Sequence, residues 1–283
     1  MADLISYDLM IVRFVTAAMP FVIAGVNYMK FLPRMMIMIL ASVTLLVTPA
    51  EAESGVFWQA ATGFDYSVGK YGGASDTTVL SIPFAFALQS ERLRLQATIP
   101  YLDVRGPGIL AGGVVVRGNR PVTTRTGLGD LNLGAAWLLK RDSADIPAIQ
   151  LAGDIKVPTA GNNLGTGQFD YAGKVNLYHA LTPRMAIFGS IGYQWLTSFR
   201  GIRLESGTLA SAGINFKATT GTSVGISASY RAEYYRGLGD LLSLAPYISW
   251  NFASNWRLST YGVLGVTRAS PSFGAGFRLI FRN

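Results

Sequence analysis

Apolar and polar residues alternate one by one along many stretches of this chain. Between residues 224 and 234 the even positions are apolar or aromatic, and the odd positions hold Gly225, Ser227, Ser229, Arg231 and Glu233. Successive side chains of a β-strand point to opposite faces, so this period of two predicts strands with one apolar and one polar face. The same alternation recurs over residues 92–101 and 185–195.

The composition places these strands in a membrane. Hydrophobic residues make up 50% of the chain and charged residues only 14%, whereas charged residues make up about 25% of soluble proteins. From residue 53 onward no 18 consecutive residues are apolar, so no membrane-spanning helix is predicted. We therefore predict an all-β protein, a transmembrane antiparallel β-barrel, in preference to a soluble β-sandwich.

The strand count follows from the alternating segments and the turns between them. Tight connections alternate along the chain with longer ones, as in outer-membrane barrels, which have short periplasmic turns, long outer loops and an even number of strands. About twelve strands are predicted, at residues 55–67, 75–88, 91–104, 126–140, 146–158, 170–181, 184–198, 203–217, 221–235, 240–252, 255–267 and 271–282.

The last predicted strand also indicates two partners. Its alternating aromatic residues end at Phe281, although Arg282 and Asn283 follow. An amphipathic C-terminal strand of this kind resembles the signal recognised by the barrel-assembly machinery. The predicted partners are therefore that machinery during biogenesis and the outer-membrane lipid around the apolar face. The predicted location is the bacterial outer membrane.

Residues 29–52 have the three parts of a signal peptide. Lys30 and Arg34 precede an apolar run over residues 35–47, and Ala50-Glu51-Ala52 forms an Ala-x-Ala cleavage site. We predict a signal peptide at 29–52 and a barrel at 53–283. Residues 1–28 are interpreted as an over-extended translation start, with a long signal or an extra anchor as the alternative.

The polar positions of the alternating segments predict which side chains line the lumen. Opposite charges on neighbouring strands, such as Asp154 or Lys156 near Lys174, are expected to pair. A polar pathway and a barrel filled by its own salt bridges both remain open. The candidate lumen-lining residues are Arg92, Arg94, Gln96, Asp130, Asn132, Gln150, Asp154, Lys156, Lys174, Asn176, Arg231, Glu233, Arg257 and Arg278.

The residue types in the sequence give little support to a catalytic site, a cofactor site or a metal site. Cysteine is absent and His179 is the one histidine, which leaves scattered carboxylates as metal ligands. His179 precedes the turn at Thr182-Pro183 and is expected at the periplasmic end, whereas a lipase acting on the outer leaflet needs its histidine at the outer rim. Lys and Arg form no basic run, so no nucleic-acid partner is predicted.

Three short motifs carry a family resemblance. They are the segments 126–134 (TGLGDLNLG), 156–160 (KVPTA) and 164–171 (LGTGQFDY). They resemble, in order, motifs of the outer-membrane barrel family named after the MetA pathway of phenol degradation. The resemblance implies passage of small hydrophobic or aromatic compounds. The predicted function is an outer-membrane channel or transporter for such compounds, with a structural or surface-binding barrel as the alternative and a lipase-like enzyme third.

Overall fold

A computed structural model of the protein describes residues 55–107, 109–111, 114–116, 122–161 and 164–283. The predicted signal peptide and the segment 1–28 lie outside these residues. Within the described ranges no helix is long and apolar enough to cross a membrane. In chain order the strands are β1 (Phe57–Gly69), β2 (Thr77–Gln89), β3 (Leu93–Gly106), β4 (Ile109–Ala111), β5 (Val114–Val116), β6 (Thr123–Leu128), β7 (Leu131–Lys140), β8 (Ala148–Val157), β9 (Asp170–Ala180), β10 (Met185–Trp195), β11 (Gly207–Lys217), β12 (Thr222–Arg231), β13 (Leu241–Ala253), β14 (Trp256–Gly265) and β15 (Phe273–Arg282).

The sheet closes on itself. Neighbouring strands pair antiparallel, β1 pairs with the last strand β15, and β2 pairs with β3. Strands β6 and β7 both pair with β3. They form one wall strand interrupted at Gly129 and Asp130, where the Gly129 N–H still donates to the Pro100 carbonyl at 2.8 Å. With β4 and β5 set apart as a separate hairpin, the wall has twelve strands, and the predicted barrel is confirmed.

The connections differ in length at the two ends. Five short turns join strands at one end, at residues 90–92, 141–147, 181–184, 218–221 and 254–255. The connections at the other end are mostly longer and include residues 107–122, which carry the β4–β5 hairpin, and 158–169. We call these the periplasmic and outer ends, following the usual asymmetry of such barrels. The hairpin was not predicted, because its strands are only three residues each.

The two faces of the wall differ in chemistry. Large apolar side chains are exposed on the outward face, for example Ile191 (60% exposed) and Leu264 (50%). The alternate positions point inward and hold buried polar side chains such as Gln59, Asn176 and Asn215. Because side chains alternate along each strand, the sequence pattern alone decides which residues point into the lumen.

Aromatic residues cover the closing seam at the periplasmic end. The Phe281 ring of β15 lies 5.3 Å from Trp58 of β1 and 5.0 Å from Trp256 of β14, between ring centroids. The main-chain N–H of Trp58 donates to the Asn283 side-chain oxygen at 2.8 Å. The last residues of the chain therefore hold the strand that closes the barrel.

Candidate functional site

Ion pairs line one side of the lumen wall, which runs from β15 through β1, β2, β3, β7 and β8 to β9. The Lys174 ammonium of β9 lies 2.5 Å from an Asp154 carboxylate oxygen of β8. At the closing seam the Arg278 guanidinium of β15 makes two hydrogen bonds to the Asp65 carboxylate of β1, at 2.5 and 2.6 Å. Both oxygens of Asp65 are thus engaged by one planar cation, a geometry that fixes the arginine against the wall.

A third ionic cluster stands at the outer end of the same side. The Lys156 ammonium lies 2.6 Å from Asp170 and 3.4 Å from Asp130, and it donates to the Thr166 hydroxyl at 2.8 Å. The Ala160 N–H donates to Asp130 at 3.0 Å. All three sequence motifs meet here, so their residues hold loop 158–169 against the barrel wall.

Amide side chains continue this wall toward the periplasmic end. Asn176 donates to Gln150 at 2.9 Å, and the Arg94 guanidinium donates to Gln89 at the same distance. Beside them lies a cavity of about 10 Å³, lined by Gln96 and Lys174 among others. This is room for about one water molecule, so the side chains here pack closely against each other.

The opposite side of the lumen, from β10 to β14, is lined mostly by small, uncharged residues, and Arg231 and Arg257 lie at the outer and periplasmic ends of their strands. Ser190 and Ser211 share a hydrogen bond at 2.8 Å across β10 and β11, and Ser249 bonds Ser259 across β13 and β14. The inward positions of β10 to β14 include Ser190, Gly192, Ser211, Gly213, Gly225, Ser227, Ser229, Ser243, Ala245, Ser249 and Ser259. The alternation already placed Gly225, Ser227 and Ser229 on the polar face, but the candidate set left these small residues out because it was limited to charged and amide groups.

Most candidate lumen residues occupy inward strand positions. These are Arg94, Gln96, Asn132, Gln150, Asp154, Lys156, Lys174, Asn176, Arg231, Arg257 and Arg278, and Asp130 lies at the break between β6 and β7. The guanidinium of Arg257 donates to Asn251 at 2.6 Å, and the Asn132 amide donates to the Asp130 carbonyl at 3.1 Å.

Two candidates lie elsewhere. Arg92 is exposed in the periplasmic turn 90–92, since β3 begins one residue later, at Leu93. Glu233 lies beyond the end of β12, where its carboxylate accepts the N–H groups of Leu238 and Gly239 at 2.8 and 3.1 Å. Both lie outside the strands for the same reason: the alternation was extended past the strand ends, where the backbone turns and period two no longer applies.

The outer loops fold into the mouth of the barrel. Val115 of the β4–β5 hairpin and Leu164 pack against inward residues of β2 and β3, in a cluster with Tyr71, Val79, Leu102 and Val104. A second cluster joins three further loops and consists of Phe199, Leu204, Tyr234, Leu238 and Ala269.

Tyr234 connects these two clusters. Its hydroxyl donates to the Val115 carbonyl at 2.6 Å, and its ring lies 4.9 Å from the Arg231 guanidinium carbon. The side chain is only 1% exposed, and this burial raises the pKa of the Tyr234 phenol, partly offset by the nearby arginine charge. Tyr234 therefore ties the hairpin to the loops on the far side of the mouth.

His179 lies at the periplasmic end, as predicted from its position before the 181–184 turn. Its Nδ1 is 2.9 Å from Asp142, whose second carboxylate oxygen accepts the Ala180 N–H at 3.0 Å. It occupies an outward position of β9. Among the described residues there is no group of three or more His, Cys, Asp or Glu side chains placed to hold a metal ion.

Residues 57–282 match the sequence profile of the family described as "Putative MetA-pathway of phenol degradation". The chain belongs to this family. The match spans the whole barrel, from the first strand to the last but one residue, and it includes the three motifs that meet around Lys156. No curated protein sequence matches the chain.

Solved structures show the same fold. The crystal structure of the COG4313 outer membrane channel from Pseudomonas putida F1 superposes with a TM-score of 0.64 at 16% identity, over 84% of this chain and 100% of that one. The NanC porin superposes with a TM-score of 0.50 at 10% identity, over 79% and 97% of the two chains. Fold and family together make this a barrel of the bacterial outer membrane.

Proposed function

We propose that this barrel is an outer-membrane channel for small hydrophobic or aromatic compounds that carry a polar group, such as phenols. The observation that carries the proposal is the division of the lumen wall. Charged side chains on one side bond to each other, at Asp154–Lys174, Asp65–Arg278 and around Lys156. The other side offers mainly serine hydroxyls between glycines and alanines along the middle of β10 to β14, and its Arg231 and Arg257 lie at the two ends of the barrel.

This division favours uncharged solutes over ions. A charge leaving water needs a partner of opposite sign inside the protein, and these paired groups already satisfy one another. A serine hydroxyl both donates and accepts hydrogen bonds, so it can bind a phenolic hydroxyl while the aromatic ring lies against glycine and alanine. The family's connection with phenol degradation supports the same class of solute.

The proposal includes the surroundings of the barrel. Outward residues such as Trp195 and Trp250 are half exposed, which suits contact with outer-membrane lipid, since aromatic residues gather at both membrane interfaces. We also propose the barrel-assembly machinery as a partner during biogenesis, through the strand that ends at Phe281. The channel needs no cofactor and no catalytic residue.

Liposome swelling tests the channel. Because phenol itself crosses lipid bilayers rapidly, the test solute is phloroglucinol, an uncharged aromatic compound whose three hydroxyls slow its passage through lipid. We expect proteoliposomes holding the purified barrel to swell in phloroglucinol faster than protein-free liposomes do. They should swell more slowly with 3,5-dihydroxybenzoate, a charged compound of similar size. Equal swelling with and without the protein would overturn the channel and favour a structural or surface-binding barrel, for which the packed loops in the mouth provide a structural basis.

Uptake by whole cells gives an independent test. A strain that lacks the gene should take up labelled phenol more slowly at micromolar concentration, and the wild-type gene should restore the rate. Unchanged uptake in the deletion strain, with the barrel shown to be present in the parent strain, would contradict the proposal.

A further inference from the structure

Tyr247 lies flat against the inner wall instead of crossing the lumen. It belongs to β13, yet its hydroxyl donates toward Asn215 of β11 at 3.3 Å and toward the Ile214 carbonyl at 3.4 Å. The residue between them on β12 is Gly225, which pairs with Tyr247 on one side and Asn215 on the other. The ring therefore lies over a position that has no side chain.

Tyr261 repeats this arrangement at the closing seam. It belongs to β14, and its hydroxyl donates to the Asp65 carboxylate of β1. The residue between them on β15 is Gly276, which pairs with Tyr261 and with Asp65. Each tyrosine thus crosses a glycine on the next strand and bonds a polar side chain on the strand beyond.

Strand spacing explains why the rings must lie along the wall. Strands are about 4.8 Å apart, so the acceptor is about 10 Å away around the barrel. A tyrosine reaches a partner there only when its ring runs parallel to the wall. A ring pointing toward the barrel axis would leave its hydroxyl far from Asn215 or Asp65.

The glycines leave room for a ring lying along the wall, and this room is lost if a Cβ atom is added at either position. A Cβ atom at Gly276 would lie 2.7 Å from the Tyr261 hydroxyl and 2.8 Å from Asp65, and one at Gly225 would overlap the Tyr247 ring. Phe188 of β10 lies over Gly213 of β11 in the same manner, and a Cβ there would overlap its ring too. All three glycines are on inward positions.

We propose that Tyr247 over Gly225 and Tyr261 over Gly276 set the free width of the lumen, and therefore the size of solute that passes. The inference rests on the proposed channel function and names the residues that determine its size selectivity. Each glycine keeps an aromatic ring out of the path, beside the serine-lined side of the lumen. An added methyl group displaces the ring into that path.

Single-channel conductance in planar lipid bilayers tests this directly. Gly225→Ala should lower the conductance, because the displaced Tyr247 ring narrows the lumen. Tyr247→Ala should raise it above the wild-type value. Gly153→Ala is the matched control, since Gly153 is an outward position of β8 where a Cβ meets only the Ala172 carbonyl oxygen, at 3.8 Å; it should leave the conductance unchanged.

The double variant Gly225→Ala with Tyr247→Ala separates the ring from the backbone. A Cβ at Gly225 also crowds the Ile214 carbonyl, and this crowding remains in the double variant while the ring is gone. We expect the double variant to conduct at least as well as the wild type. A loss that persists in it would assign the effect to backbone distortion and overturn the inference.

The remaining outcomes are also decisive. If Gly225→Ala does not fold, the inference stands or falls on Tyr247→Ala and Tyr261→Ala, which must both raise the conductance. A conducting wild type whose folded variants all match it would overturn the width assignment and leave the channel intact. If the wild type passes solute without conducting ions, the swelling rates of liposomes holding the same variants replace the conductance, with the same expected order and the same contradicting outcomes. A wild type that conducts no ions and passes no solute would overturn the channel, and with it the free width assigned here.

Discussion

The Lys156 ammonium nitrogen lies 2.6 Å from a carboxylate oxygen of Asp170, and the two residues belong to neighbouring strands at the outer end of the lumen. Asp170 is 1% exposed, and its other carboxylate oxygen accepts the Thr197 N–H at 2.9 Å. One buried carboxylate thus links β8, β9 and the loop after β10. The motifs of the family therefore have a structural role here, which is to fix the loops around the mouth.

Replacing Lys156 should destabilise the barrel strongly. Lys156→Met leaves Asp130 and Asp170 close together without their shared cation, and removal of one partner from a buried ion pair costs about 3–5 kcal/mol. We expect a loss of this size in the free energy of unfolding, measured by tryptophan fluorescence in urea with the barrel in lipid.

Arg203→Met is the control for this change. The Arg203 side chain is 81% exposed and lies 3.3 Å from Glu205, and an exposed pair of this kind contributes less than about 1 kcal/mol. Equal losses of unfolding free energy in the two variants would contradict the prediction, because they would show that the buried Lys156 cluster contributes no more to stability than an exposed ion pair.

Alkaline pH should loosen the outer loops. Burial raises the pKa of Tyr234, and of Tyr71 in the neighbouring cluster, above the value of about 10 for an unfolded tyrosine. The folded protein then keeps protons that the unfolded chain loses, so stability is fully present below about pH 10 and falls as the pH rises toward the folded pKa.

Proteolysis of the outer loops measures this effect. Cleavage within loop 107–122 should accelerate above about pH 10, and phenolate absorbance should show some tyrosines titrating only as the loops open. Tyr234→Phe should weaken the pH dependence while losing the bond to the Val115 carbonyl. Full titration of all tyrosines near pH 10 with intact loops would contradict the prediction.

Phe281→Ala should weaken the closing seam of the barrel. The variant loses ring contacts with Trp58 and Trp256, and aromatic pairs contribute about 0.5–1.5 kcal/mol each beyond their buried area. We expect the folded band on unheated SDS gels to convert to the unfolded band at a lower temperature. Phe216→Ala, which removes an outward-facing ring that is 45% exposed on β11, should shift that temperature less.

His179→Ala should leave any lipid hydrolysis by the preparation unchanged. The imidazole bonds Asp142 at the periplasmic end, on an outward position and away from the lumen. The measurement is release of fatty acid from outer-membrane phospholipid by the purified wild type and variant. A hydrolysis present in the wild type and abolished in the variant would instead support a lipase.

Local pattern was enough to predict the wall. Alternation in each strand depends only on neighbouring residues, so the sequence predicted twelve strands, their two faces and the alternation of short and long connections. It predicted too that Asp154 or Lys156 would pair near Lys174. The structure pairs Asp154 with Lys174, whereas Lys156, a cation like Lys174, pairs with Asp170. Arg92 and Glu233 lie just beyond strand ends, where the local pattern stops.

The sequence by itself determined which residues point into the lumen and which point outward, because the pleat of a strand sets the direction of each side chain. Only the tertiary structure decided which inward residues meet across more than one strand. Tyr247 and Asn215 are 32 residues apart, and Tyr261 and Asp65 are 196 apart. Their meeting depends on the register of three strands and on the closure of the barrel. The position of the β4–β5 hairpin was likewise decided by the tertiary structure, because Val115 in the hairpin accepts a hydrogen bond from Tyr234, which is 119 residues away.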